Sequence, residues 1–399
     1  MEKINIKDPT EISEWLPFFR KENIPVLILG APGIGKSESI QSCCEEDDTF
    51  VDIRLSMMEP PDVLGLQKLQ SAAEEALRKY ALARELVKSY RNIGQNEKAD
   101  ELEQRALKDL ELAYELADEA PVKTFWSRPS IWPTHGKGII CLEELNTAPQ
   151  GVQNTLLQAL GSPPDQDRFV GPHRIPKTYY WCATGNRKED LAHVYPLSSA
   201  LRNRMVIVLC GNPNVERWSI WASQNDVHSH IIAFINFKPD MLYAPPTRND
   251  PYSGFPSPRA WSRLVSPMVK HGINNPDFFA SAVGEGAGMM FHTFLAKMKD
   301  LPDIKAILEG RAELDPKKIS TRPSLMHVIA TSTYEFVARD TRLLPAAVER
   351  ILPHLKPEIA MVFATLIVRN KNQKVFSAVR SCRPFLSWIN QYSDVLNLS

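Results

Sequence analysis

The chain has 399 residues, with 47 Lys+Arg against 47 Asp+Glu, so its formal net charge is zero. Hydrophobic residues make up 43%, aromatic 9% and charged 24%, which supports a full core and excludes a disordered or collagen-like chain. Cancelling charge argues against nucleic acid or an anionic membrane as the main target, and roughly 100–200 residues per domain allows two or three domains. The longest apolar run, 359–368, is too short for a bilayer span of about 20 residues, and no apolar signal core follows Met1. The six cysteines (Cys43, Cys44, Cys141, Cys182, Cys210, Cys382) contain no Cys-x-x-Cys and suit reduced thiols. We therefore expect a soluble, cytoplasmic protein with no membrane insertion.

Taken in order, residues 25–29 (PVLIL) form a short apolar run that ends at a glycine loop. A helix is predicted over 37–44 and a strand over 49–55 (TFVDIRL). Residues 71–91 and 96–120 are rich in Ala, Leu, Glu, Lys and Arg, with a turn at Asn92-Ile93-Gly94-Gln95-Asn96. They read as a helical hairpin inserted at about 68–120; residues 68–119 hold 9 Lys+Arg against 12 Asp+Glu. Further strands are expected at 138–142 (GIICL), 179–183 (YYWCA) and 205–209 (MVIVL). Short apolar runs joined by helical segments predict an α/β domain over 1–212, a parallel five-stranded sheet flanked by helices. After 212 the strand signals stop. A helical lid is expected over 213–273, with a proline-rich loop at 245–258, and an α-helical region over 274–399.

Gly30-Ala31-Pro32-Gly33-Ile34-Gly35-Lys36-Ser37 fits Gly-x-x-x-x-Gly-Lys-Ser/Thr, with a strand before it and a helix after it, and Glu38 follows the motif as a further candidate at the nucleotide. In such a P-loop the glycines let backbone N–H groups surround phosphate oxygens, and the helix N-terminus favours the anion. Lys36 would reach the β- and γ-phosphates of ATP, and the Ser37 hydroxyl would bind Mg²⁺. A P-loop needs acidic partners, and the apolar run 139–142 ends in Glu143-Glu144. The first would hold Mg²⁺ or its water, and the second would polarise the attacking water. Glu143 stands where Asp is usual, and its extra methylene could shift the metal, slow turnover or be absorbed by a small adjustment.

These residues resemble the AAA+ ATPases, specifically the MoxR-type, dynein-related branch. Residues 58–65 (MEPPDVLG) are similar to the segment after the second strand in that branch. Residues 142–149 (LEELNTAP) with 152–160 resemble its Walker B strand and following helix. Residues 168–176 resemble its β-hairpin insertion, and 181–186 (WCATGN) its sensor 1 strand. Residues 196–208 (PLSSALRNRMVIV) resemble the segment bearing the arginine finger, and 257–261 (SPRAW) the sensor 2 helix start. The likeness spans about residues 10–270. It implies that Asn186 senses the γ-phosphate or lytic water, and that Arg204, with Arg202 as its competitor, acts in trans. It further implies that Arg259 couples the lid to phosphate. Ser257 as N-cap and Pro258 at the first helical position support Arg259's placement locally.

The resemblance implies an ATPase that works as a ring oligomer, most simply a hexamer, and remodels a protein client such as a von Willebrand A domain protein. Two alternatives stay open: an ATP-dependent scaffold with little hydrolysis, and a DNA-directed loader. Neutral charge and the lack of a basic, aromatic-interleaved surface argue against the loader. His228 and His230 lack the further ligands of a zinc site. Arg369, Lys371 and Lys374 read as a solvated turn. Trp218, Trp221 and Trp261 read as lid core.

Overall fold

A computed structural model describes residues 4–6, 8–70, 72–115, 123–190, 194–245 and 252–391. Its ten strands are β1 (Ile4–Ile6), β2 (Val26–Leu29), β3 (Thr49–Arg54), β4 (Gln67–Gln70), β5 (Lys123–Trp126), β6 (Gly138–Glu143), β7 (Arg168–Val170), β8 (His173–Ile175), β9 (Tyr179–Gly185) and β10 (Val206–Cys210). Six of them build one sheet in the order β1-β10-β2-β9-β6-β3, with every neighbouring pair parallel. The five expected strands are all in it. The sixth, β1, is a three-residue edge strand too short to show any periodicity.

The strands are apolar because both faces of the sheet are covered. Val26, Ile28, Ile139, Cys141, Tyr180, Cys182 and Val208 feed one core. Their neighbours Leu27, Ile140, Leu142, Trp181 and Ala183 feed the other. Side chains alternate across a strand, so a strand buried on both sides must be apolar throughout. On the second face Trp132 stacks on Trp181, with ring centroids 5.5 Å apart.

The inserted hairpin comprises helices Ala72–Asn92 and Asn96–Glu115. It springs from an antiparallel ribbon in which β4 pairs with β5, Gln67 opposite Trp126. Gly94 makes the turn in left-handed backbone, with φ at +77°. Val87 and Ala99 are buried between the helices, and Arg91 pairs with Asp100 and Glu103 at 3.2 and 2.7 Å. The expected extension of the second helix over 116–120 lies outside the described residues.

Among the described residues beyond β10 the regular elements are all helices. One continuous apolar cluster runs from Trp218 to Ile389 and crosses residue 273, the boundary drawn between lid and C-terminal region. Asp8 clips this body to the core: its carboxylate accepts from Thr10 N at 2.7 Å and, through its other oxygen, from the backbone N of Asn214. Arg217 adds an ion pair to Glu14 at 2.7 Å. His228 Nδ1 accepts from the backbone N of His230 at the start of helix Ser229–Phe237, and all six cysteines are free thiols. Among the described residues no helix is long and apolar enough to cross a membrane.

Candidate functional site

The phosphate-loop segment connects β2 to a short helix, Lys36–Gln41, one residue earlier in its start and three shorter at its end than expected. Gly33 and Gly35 have φ of +74° and +103°, left-handed values that glycine adopts without a Cβ clash. Ala31 and Ile34 anchor the loop in the core, while Pro32 is half-buried. Lys36 is only 8% exposed, and its Nζ donates to Gly30 O at 2.9 Å and Ala31 O at 2.8 Å. An ammonium has three donors, so one is left after these two bonds. Burial pushes the Lys36 pKa down to about 8; nearby Arg259 acts the same way, while Cys210, Glu143 and Asp190 oppose it. Ser37 is half-buried on the first turn, and Glu38 reaches Arg263 at 2.8 Å.

The acidic pair sits at the end of β6. Thr184 Oγ1 donates to Glu143 Oε2, and the Cys141 thiol lies 3.4 Å from Glu143 Oε1. Glu144 has φ of +58°, and its backbone N donates to Thr184 Oγ1 at 3.2 Å. Its carboxylate is exposed, with only a long contact of 3.5 Å from Thr147 Oγ1. Leu145 N donates to Thr184 O at 2.9 Å. Asn146 is buried; its Nδ2 donates to Asn186 O at 2.7 Å, and Asn186 N donates to Asn146 Oδ1 at 3.0 Å. Residues 143–146 are thus laced to residues 184–186 on the neighbouring strand, which itself lies between β6 and the phosphate-loop strand β2.

Residues 257–259, in the helical part of the chain beyond β10, contact the loop. Arg259 N donates to Gly33 O at 3.1 Å, and a Cβ on Gly33 would stand 3.1 Å from Ser257 Oγ. Ser257 caps its helix as expected, accepting from Ala260 N at 3.2 Å. The helix then widens into a π-helical stretch, Ala260–Val265, which puts the wider turn directly after Arg259. Trp261 is core, its Nε1 bonded to Met241 O at 2.7 Å. Trp218 and Trp221 are more than core: both line a cavity of about 50 Å³ together with Gly33, Gly35, Glu38 and Arg259. Trp218 Nε1 is buried with no hydrogen-bond partner among the described residues.

Arg204 is not part of this cluster. It precedes β10, which runs parallel to β2 with Val206 beside Val26, so it flanks the start of the strand whose end carries the phosphate loop. At about 3.3 Å per residue, the four residues of β2 alone separate the two by about 13 Å. Its Nη1 donates to Ala200 O at 2.9 Å and its side chain packs on Gly161. Arg202 is exposed. A cleft of about 1020 Å³ borders Glu38 and Arg263 and extends to Arg339 and Lys371 without reaching Gly30, Gly33 or Gly35.

Sequence reasoning missed Thr184 and Asn146 as site residues. Both lie inside quoted motifs, and pairing Leu142 with Ala183 carries Glu143 alongside Thr184 at the next step. No protein-family model matches the chain, and no curated protein matches it.

Proposed function

We propose that the chain binds and hydrolyses Mg-ATP as an AAA+ ATPase of the MoxR type. The observation that carries this reading is that three separate segments act on buried Lys36: its own left-handed glycine loop, Glu143 at the end of β6, and Arg259, whose backbone N is bonded to Gly33 O. The donor set fits the cofactor. Ser37 and Glu143 offer hard oxygen ligands of the kind Mg²⁺ takes, and Trp218 lines a cavity that also borders Gly33 and Gly35. Bound there, Mg²⁺ would neutralise charge on the phosphates.

The chain's own groups do the rest. Loop amides and Lys36 hold the β- and γ-phosphates; exposed Glu144 orients and polarises the attacking water; Asn186 is the residue that would sense the γ-phosphate. The Gly33–Arg259 contact borders the cavity of about 50 Å³, so a nucleotide held by the loop would be felt directly by the helix that carries Arg259. Arg204, at the opposite end of the strands from its own loop, suits a role at a neighbouring subunit's γ-phosphate, which supports a ring oligomer, hexameric by resemblance. A protein client, such as a von Willebrand A domain protein, and a cytoplasmic setting complete the reading.

ATP turnover and nucleotide binding of the wild type, Lys36→Ala and Glu144→Gln test it. Binding should be lost in Lys36→Ala and retained in Glu144→Gln, with turnover lost in both. Wild-type turnover no faster than that of Glu144→Gln would sink the hydrolase reading.

A further inference from the structure

We propose that Thr184 is the positioning residue of the acidic pair, and that its hydroxyl is what allows a glutamate to stand at the metal position. The proposal rests on the ATPase reading above. Thr184 is 1% exposed on the strand between the phosphate-loop strand and the acidic strand. A threonine hydroxyl has a single proton. Because Thr184 Oγ1 accepts from Glu144 N, that proton is committed to its other neighbour, Glu143 Oε2. One hydroxyl therefore fixes two consecutive residues in different ways: the side chain of Glu143 and the backbone of Glu144.

The consequence for Glu143 is orientation. A glutamate has one more rotatable bond than an aspartate, and an unheld carboxylate at the strand end would sample several positions. Tying Oε2 to a buried hydroxyl removes that freedom. Among the described residues Oε1 then has the weak thiol donor of Cys141, 3.4 Å away, and keeps its lone pairs for a hard cation. Thr184 is itself a rigid anchor: it is β-branched, hence stiff at χ1, and its carbonyl accepts from Leu145 N at 2.9 Å. For Glu144, the N–H bond to Thr184 holds a residue whose φ of +58° costs energy in any side chain other than glycine.

The test compares Thr184→Val, which keeps the shape and removes the hydroxyl, with Thr184→Ser, which keeps the hydroxyl. Mn²⁺ replaces Mg²⁺, its binding to the protein–ATP complex is read by electron paramagnetic resonance, and affinity for a fluorescent ATP analogue is measured without metal. Outer partners of metal ligands are worth about 10–100-fold in metal affinity, so Thr184→Val should lose at least about tenfold for Mn²⁺ while metal-free nucleotide affinity stays within about twofold. Thr184→Ser should recover most of the loss. Wild-type Mn²⁺ affinity in Thr184→Val would overturn the role of Thr184 while leaving the ATPase reading intact. Equal impairment of Thr184→Ser and Thr184→Val would overturn it too, pointing to packing. A wild type that binds no ATP analogue would bring down both readings.

Discussion

Asn146 and Asn186, forty residues apart in the chain, exchange two hydrogen bonds: the Asn146 amide donates to the Asn186 carbonyl at 2.7 Å and receives its N–H at 3.0 Å. A side-chain amide matched to the N–H and C=O of one residue makes a two-point clamp, so neither segment shifts without the other. Gly185 makes room for it: a Cβ there would lie 2.5 Å from Asn146 Oδ1.

Asn146→Leu should therefore uncouple the acidic turn from Asn186 while leaving the phosphate loop intact. Removing one partner of a buried pair costs roughly 1–3 kcal/mol. We expect turnover to fall about 10–100-fold, the scale of a misplaced catalytic group, with ATP affinity little changed. Gly185→Ala should reproduce the defect. Steady-state kinetics beside equilibrium nucleotide binding check both; parallel losses of affinity and turnover would argue for simple unfolding of the region.

Lys36 makes the protein's response to pH specific. Its folded pKa of about 8 lies below the ordinary 10.5, so the folded protein gives up this proton before the unfolded one does. Stability should accordingly rise as pH climbs from about 8 towards 10.5, and this rise should vanish in Lys36→Met. An anion bound beside the amine raises its pKa again. At pH 8 ATP binding should then take up about half a proton, because about half the molecules begin deprotonated. Calorimetry in two buffers of different ionisation enthalpy measures it, and equal heats would refute it.

The two candidate fingers separate by burial. Arg204 packs on Gly161 and bonds Ala200 O, whereas Arg202 is exposed. Arg204→Ala should lower the unfolding temperature, at a cost of about 1–2 kcal/mol, and Arg202→Ala should leave it within about 0.5 kcal/mol. Only Arg204→Ala should abolish turnover with ATP binding retained. A mixture of Arg204→Ala and Glu144→Gln chains should recover activity, since an intact interface then forms between unlike subunits. No recovery at any ratio would count against action in trans.

Gly65 closes the segment after the third strand at φ of +84°, and a Cβ there would fall 1.7 Å from the Ser127 carbonyl oxygen. Gly65→Ala should cost more than about 3 kcal/mol, because the obstacle is backbone at the root of the ribbon and cannot rotate away. Thermal unfolding reads the effect; a loss under about 1 kcal/mol would mean that the ribbon moves freely.

The parts of this site that were legible in the sequence are those whose signal is local. Residues 30–37 are contiguous, and the runs of β2, β6, β9 and β10 are apolar on both faces, so neither needs knowledge of a distant partner. Ser257 and Pro258 are likewise read from neighbours alone. Thr184 and Asn146 depend on bonds across forty residues, set by which strand lies beside which. Helix ends are set by packing as much as by propensity, which is why the helix expected through Cys44 stops at Gln41. The π-helical widening after Arg259 has no mark in the residue types, and β1 has too few residues to carry one.

The ribbon of β4 and β5 leaves the core and re-enters it side by side, Gln67 against Trp126. Everything between those two points is, in the topological sense, an appendage on a closed stem. A short turn could join the stem's strands with the sheet and its loops undisturbed, since closing a smaller loop costs less entropy than closing a larger one. Evolution could therefore lengthen, exchange or delete the helical hairpin as a cassette, under selection independent of the residues that meet at Gly33, Glu143 and Arg259.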